Sequence, residues 1–190
     1  MDEAVIRAMG KWPNVPAVYG WLSLNRRGDW LIKGERISHR VARAFIRRNY
    51  AADDRGCWFF QNGPQRVYVA LEYTPWVIAL DAAGELVTHT GEIIAMPKGI
   101  WLDDVGSLLL MTDDGIGVLD DRDLDAISAR IKHAAGCDSA GLLAQAVAET
   151  QSGRDGNLQL EWRGRALQVG SIARAEVATR FEFNPAPQAP

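Results

Sequence analysis

Amides, a guanidinium, a carboxylate and aromatic rings crowd the stretch from Arg55 to Leu80, RGCWFFQNGPQRVYVALEYTPWVIAL. Gln61, Asn62, Gln65 and Arg66 surround Asn62-Gly63-Pro64, Glu72 and Tyr73 precede a break at Thr74-Pro75, Tyr68 stands between, and Trp58 and Trp76 border the set. Such a group can bind a small polar or anionic ligand. A guanidinium pairs with oxyanions, amides supply donors and acceptors, and indole walls exclude water. Arg66 and Glu72 are an even number of residues apart, so one strand points both to the same face, roughly 20 Å from each other at about 3.3 Å per residue. On this reading they frame opposite ends of a groove floored by Tyr68 and Ala70, with Arg66 as the anion contact. The same residues also have a structural reading, in which Asn62-Gly63-Pro64 is turn chemistry, Arg66 and Glu72 pair across or along the sheet, and the tryptophans are core.

Other chemistry finds less support. Asp121, Asp123 and Asp125 imitate the start of a calcium loop, but Ala126 stands where a glycine is needed and Lys132 where a bidentate glutamate is needed. Helix capping and first-turn acids account for Asp113, Asp114 and Asp120 to Asp125. The histidines His39, His89 and His133 have no HxH or HxxxH spacing, and the cysteines Cys57 and Cys137 form no CxxC. Neither a zinc site nor a disulfide framework is therefore expected, and no cofactor. No G-x-S-x-G, Walker loop or G-x-G-x-x-G is present. A hydrolase acting on a small phosphorylated or acyl substrate would have to use Glu72 or His39 as base, with Arg66 holding the anion. Arg40, Arg43, Arg47 and Arg48 give one helix a basic face, read here as solvated.

The elements that must position these groups follow from turn signals and periodicity. Asp2 heads a short helix with Val5, Ile6 and Met9 inward, ended by Gly10 and Pro13, and Asn14 to Pro16 is irregular. A hairpin runs through Ala17 to Leu24, Arg26-Arg27-Gly28 and Trp30 to Ile32. Ser38 caps a helix to about Asn49 with Val41, Ala42, Phe45 and Ile46 as its buried stripe. Asp53-Asp54-Arg55-Gly56 turns into a three-stranded antiparallel meander, Trp58 to Leu80, in which Val67, Val69 and Leu71 face a core shared with Phe45 and Ile46. Asp81 to Gly84 is a turn and Leu86 to Thr90 a strand. A second hairpin, Leu108 to Met111 and Ile116 to Leu119, precedes a helix carrying Leu124, Ile127 and Ile131, capped by Asp120 or Asp121 and stopped by Gly136. Asp138 or Ser139 starts another helix with Leu142, Leu143, Ala146 and Val147. A third hairpin turns at Arg163-Gly164, a short helix occupies Ala173 to Thr179, and NPAPQAP is too proline-rich to fold alone. Trp21 to Ile46 and Leu108 to Ile131 both read as hairpin plus helix, with Leu158 to Phe181 as a degenerate third copy, which suggests an internal repeat.

Gly28, Trp30, Gly34 and Ile37, then Asp53, Gly56, Trp58 and Phe59, then Val67, Val69, Glu72 and Pro75 follow a pattern, G-x-W…G-x-x-I, D-x-x-G-x-[YW]-[FY], V-x-V-E-x-x-P. Over residues 17 to 95 this resembles bacterial families of uncharacterised proteins, domains of unknown function. The resemblance implies an α+β fold of meanders and helices with repeated motifs and a loose suggestion of ligand sensing or signalling, and it brings no catalytic residues.

The 190 residues, 47% hydrophobic and 24% charged, suit a globular protein with its own core. A net charge of −3 offers no general attraction to phosphate backbones, so nucleic acid is not expected as a partner. The acidic start lacks a secretory pattern and no apolar run reaches membrane-spanning length, so no membrane partner is expected and the chain is placed in the cytoplasm. The expectation is an α+β protein with an N-terminal half at 1–100, a C-terminal half at 101–183 and a disordered tail at 184–190. It would be a non-enzymatic binding or regulatory protein that self-associates, as a homodimer.

Overall fold

The computed structural model describes residues 1–12, 15–134 and 141–189. The chain divides into two compact units, Met1–Pro75 with Glu182–Pro190, and Trp76–Phe181. The division thus falls after Pro75, whereas residue 100 lies inside a strand.

In the first unit α1 (Glu3–Lys11) runs through Gly10. Asp2 sits at its N-cap but makes no side-chain capping bond, because its carboxylate accepts instead from Arg48 Nε at 3.1 Å. Val5 is buried and Ala8 and Met9 are half-buried, the i, i+3, i+4 set, while Ile6, expected inward, is exposed. Then come β1 (Val18–Leu24), β2 (Trp30–Ile32), β3 (Glu35–Arg36), α2 (Arg40–Arg48), β4 (Tyr50–Ala52), β5 (Trp58–Asn62) and β6 (Gln65–Leu71). They form one sheet ordered β3-β2-β1-β6-β5-β4. All its pairings are antiparallel except β1 with β6, which is parallel with Leu22 beside Val69 and Leu24 beside Leu71. This seam corrects the expected meander. β5 and β6 are its hairpin, but β1 occupies the other edge of β6, and Trp76 to Leu80 belongs to the second sheet.

α2 starts one residue later than expected. His39, not Ser38, caps it, its Nδ1 accepting from the Ala42 N–H at 3.2 Å. The helix therefore turns Val41 outward, 70% exposed, and buries Ile46, with Phe45 edge-on to Phe60 at 5.4 Å. On this covered face Trp30, Tyr50 and Trp58 form an aromatic chain, with centroids 5.0 and 4.8 Å apart. Each such contact adds about 0.5–1.5 kcal/mol to the burial of Leu22, Leu24 and Val69 nearby. The tail from Asn184, expected to be disordered, is held at its start by backbone bonds. Asn184 N–H donates to Gly56 O at 2.9 Å, Leu71 N–H donates to Pro185 O at 2.8 Å, and Phe183 is buried.

The second unit contains β7 (Trp76–Leu80), β8 (Leu86–Thr88), β9 (Gly99–Asp103), β10 (Leu108–Thr112), β11 (Gly115–Leu119), a 3-10 turn, α3 (Leu124–Ser128), β12 (Ile131–His133), α4 (Leu142–Gln151), β13 (Leu158–Trp162), β14 (Arg165–Ile172) and, after a second 3-10 turn, α5 (Val177–Arg180). Its sheet runs β12-β13-β14-β9-β10-β11-β7-β8, with parallel seams at β11·β7 and β14·β9. Ile78, Ile100, Leu108, Leu110, Leu160 and Trp162 build the core, against which Ile127 of α3 and Ala146, Leu143 and Val147 of α4 pack. Ile131, expected as the last turn of a helix, is the first residue of β12, since α3 stops at Ser128. The cap at Asp138 or Ser139, the stop at Gly136, and Cys137, Pro13 and Asn14 lie outside the described residues.

Four connections share one geometry. In Asn25–Asp29, Asp53–Cys57, Asp81–Glu85 and Asp103–Ser107 the first side chain's Oδ1 accepts the N–H groups two and four residues on, at 2.6–3.1 Å. In Trp21–Ile46 the first strand of the hairpin makes the parallel pairing, and in Leu108–Ile131 the second does. The correspondence supported by strand pairing runs in another frame. β1 to β6 place one three-stranded meander beside another and β7 to β11 a hairpin beside a meander; each closes the pair by a parallel seam and carries the shared turn at the same two places, Asn25 and Asp53 in one, Asp81 and Asp103 in the other.

Candidate functional site

The polar grouping of the first unit grows out of one of these turns. Asp53 Oδ1 holds the Arg55 and Cys57 N–H groups, leaving Oδ2 to accept from the Tyr68 hydroxyl at 2.9 Å and from Arg55 Nη2 at 3.1 Å. Arg55 Nη2 also donates to the Tyr68 oxygen at 3.2 Å. Burial works to raise the Asp53 carboxyl, but the Cys57 N–H, the Tyr68 hydroxyl and Arg55 outweigh it and hold it below the usual carboxylate value. Burial, reinforced by Asp53, pushes the Tyr68 phenol up. Tyr19 stacks on Tyr68 with centroids 4.5 Å apart and planes 7° apart, and Phe59 meets Tyr68 at 5.9 Å. Tyr68, Phe59 and Cys57 are buried together with Tyr19 and Ala51 partly covered, a small second core on the face away from α2. Arg66 lies over the Phe59 ring at 4.6 Å and is itself exposed.

Of the expected site residues, the sheet gathers Gln61, Arg66 and Tyr68. Gln61 stands opposite Arg66 and Phe59 opposite Tyr68 in the β5–β6 register, so all four share a face. The expected alternation holds, with Val69 and Leu71 buried, yet the polar face is not an open groove, because Tyr68 is only 4% exposed under Tyr19. Gln61 is buried too, its Nε2 donating to Gly63 O at 2.9 Å. Asn62 is exposed at the hairpin turn and Gln65 Nε2 donates to Pro16 O. Glu72 and Tyr73 form a separate group, Glu72 Oε2 accepting from the Arg26 N–H at 3.1 Å and the Arg26 guanidinium lying 5.2 Å from the Tyr73 ring. Trp58 is on the opposite face in the aromatic chain. Trp76 belongs to the other unit, its Nε1 donating to Asp114 O.

Asp53, Arg55 and Tyr19 were missed as site residues. The Asp-x-x-Gly spacing marked Asp53 as a turn, and the free Oδ2 that this turn leaves over is the signal for Arg55. Tyr19 arrives through the parallel seam, for which no local pattern exists. The group is a carboxylate, a guanidinium and a phenol bonded to one another. Burial raises the Cys57 thiol, so its reactive thiolate form is disfavoured. His39 and Glu72 accept backbone N–H groups, the first on the helix that covers the other face of the sheet. Three of the acids from Asp113 on have structural partners. Asp120 takes the Arg122 N–H and guanidinium, Asp123 takes the Leu80 N–H at 2.8 Å, and Asp113 pairs with Lys98.

The DUF2944 family, whose description reads "Protein of unknown function (DUF2946)", matches residues 1–188. The chain belongs to this family. Among functionally curated proteins none matches it. Among solved structures, it is similar to a DUF1285 family protein from Silicibacter pomeroyi DSS-3, with a TM-score of 0.54 at 11% identity over 84% of this chain and 85% of that one. A second DUF1285 family protein, from Shewanella baltica OS155, matches 57% of this chain and 91% of its own, with a TM-score of 0.44 at 21% identity. The first of these likenesses establishes a shared fold for this DUF2944 family member. The uncharacterised kinship suggested by the motifs thus has a family behind it, without the specific pattern being tested.

Proposed function

We propose that this protein is a non-catalytic binding or regulatory protein whose first unit holds a small anionic ligand against Arg66 and Arg55, beside the stacked Tyr19 and Tyr68. The observation that carries this reading is the charge balance of the face. Arg55 is matched by Asp53, whereas Arg66, exposed over Phe59, has no carboxylate partner among the described residues. The patch therefore has one surplus positive charge on a rigid, aromatic base. A guanidinium already ordered by a ring loses less freedom on binding an oxyanion. The site is smaller than the nine residues chosen by pattern, and Trp58 and Trp76 do not contribute walls to it.

Thermal shift and calorimetry with inorganic phosphate, sulfate and small carboxylates test this. A specific anion raises the melting temperature with the logarithm of its concentration, equivalent to about 2.7 kcal/mol at 100 times its dissociation constant. Arg66→Ala should abolish the shift while leaving the melting temperature of the free protein within a few degrees. Equal shifts in wild type and Arg66→Ala would make Arg66 an ordinary surface charge.

A further inference from the structure

The unused cations of the first unit are concentrated on α2. Arg40, Arg43 and Arg47 stand at i, i+3 and i+7, one flank of the helix, and none of them has an ion pair among the described residues. Arg48, on the other flank, is matched by Asp2, and Arg36 and Arg55 are matched by Asp29 and Asp53. Arg47 Nε is shielded from solvent and has no hydrogen-bond partner. No acid occupies the first turn of α2 to balance the row. A chain with more acids than bases, 24 against 21, thus leaves three neighbouring arginines without counter-charges among the described residues. Arg43 and Arg47 are like charges at i, i+4, which repel on a helix surface, and an external anion relieves that repulsion.

We infer that this flank of α2 docks an acidic segment of a partner protein. The length of the row favours a peptide over a single ion. Seven residues of helix span about 10 Å, more than one phosphate can bridge. Alternate carboxylates of an extended chain, about 7 Å apart, reach neighbouring arginines of such a row. Nucleic acid fits less well, since the net charge of −3 repels a phosphate backbone beyond the immediate contact. This surface is distinct from the Arg66 patch, because α2 packs on the other face of the sheet through Phe45 and Phe60.

The test uses the full chain and a fluorescently labelled oligoglutamate peptide, read by anisotropy at low and near-physiological salt. Arg40→Glu and Arg43→Glu should each weaken binding at least about tenfold, with Arg154→Glu, an exposed control of the same charge change, within about twofold. Arg43→Gln should keep or raise the melting temperature, as expected for a residue retained for binding. Arg40→Glu, in the exposed first turn, keeps the test valid if changes at the half-buried Arg43 disturb folding. Equal losses in ridge and control variants would overturn the inference. So would tighter binding of inorganic polyphosphate or duplex DNA than of the peptide, or a concentration-dependent dimer that Arg40→Glu dissolves, which would make a second copy of this chain the occupant.

Discussion

Asp53 does two jobs with two oxygens, and the neighbouring turns separate them. Asn25 makes the same pair of backbone contacts with a neutral amide, at 3.0 and 2.9 Å, so the turn itself needs only an acceptor. Asp81→Asn should therefore cost under about 0.5 kcal/mol in urea denaturation, whereas Asp81→Ala, which orphans two N–H groups, should cost about 1–2 kcal/mol. Asp53→Asn should cost more than Asp81→Asn, because its Oδ2 also holds Arg55 and Tyr68. The difference has a pH signature. A carboxyl held below its unfolded value stabilises the fold above about pH 4 and loses that contribution as pH falls through the depressed folded value. The stability gap between wild type and Asp53→Asn should accordingly close between about pH 4 and pH 2. A gap that is flat with pH would remove the carboxylate from this account.

At the scale of elements, the C-terminal segment closes the first unit at Gly56. A Cβ there would lie 2.3 Å from Glu182 O and 2.9 Å from Phe183 Cα, at a φ of +70°. Gly84, in the equivalent turn at a φ of +77°, has open space around it. Gly84→Ala should therefore cost only the left-handed strain, about 1–2 kcal/mol, while Gly56→Ala must also move the passing backbone and should cost clearly more. Thermal denaturation of the two variants distinguishes them, and equal costs would mean that the segment yields freely. Half of this element scale was legible beforehand. The hairpins at Asn62-Gly63 and Arg163-Gly164 follow from local turn chemistry, but the docking of Asn184 and Pro185 does not, because a proline-rich, apolar-poor stretch gains its order only from the backbone groups it meets.

For the whole molecule, the parallel seams matter most. β1 joins β6 across more than forty intervening residues, and β7 joins β11 in the same manner. Loop closure precedes the gain from such pairings, so refolding should take milliseconds to seconds, and not the microseconds of a helical bundle. Stopped-flow tryptophan fluorescence measures this, and a dominant sub-millisecond phase would contradict it. Leu22→Ala, at the β1·β6 seam and fully buried, should cost about 2–5 kcal/mol.

By itself the amino-acid sequence determined the mixed α+β class, the hairpins, the inward face of Val69 and Leu71, and the turns at Asp53–Gly56 and Asp81–Gly84, since these depend on glycine, proline and side-chain alternation within a few residues. The same local physics misled where a neighbour in space decided. Trp76 to Leu80 looked like the third strand of a meander, and only the arrival of β1 at the edge of β6 sent it to another sheet. The candidate site divides in the same way. Arg66 and Tyr68 were visible from alternation, while Tyr19 and the guanidinium of Arg55 reach Tyr68 through a parallel pairing and a spare carboxylate oxygen, neither of which a stretch of sequence contains.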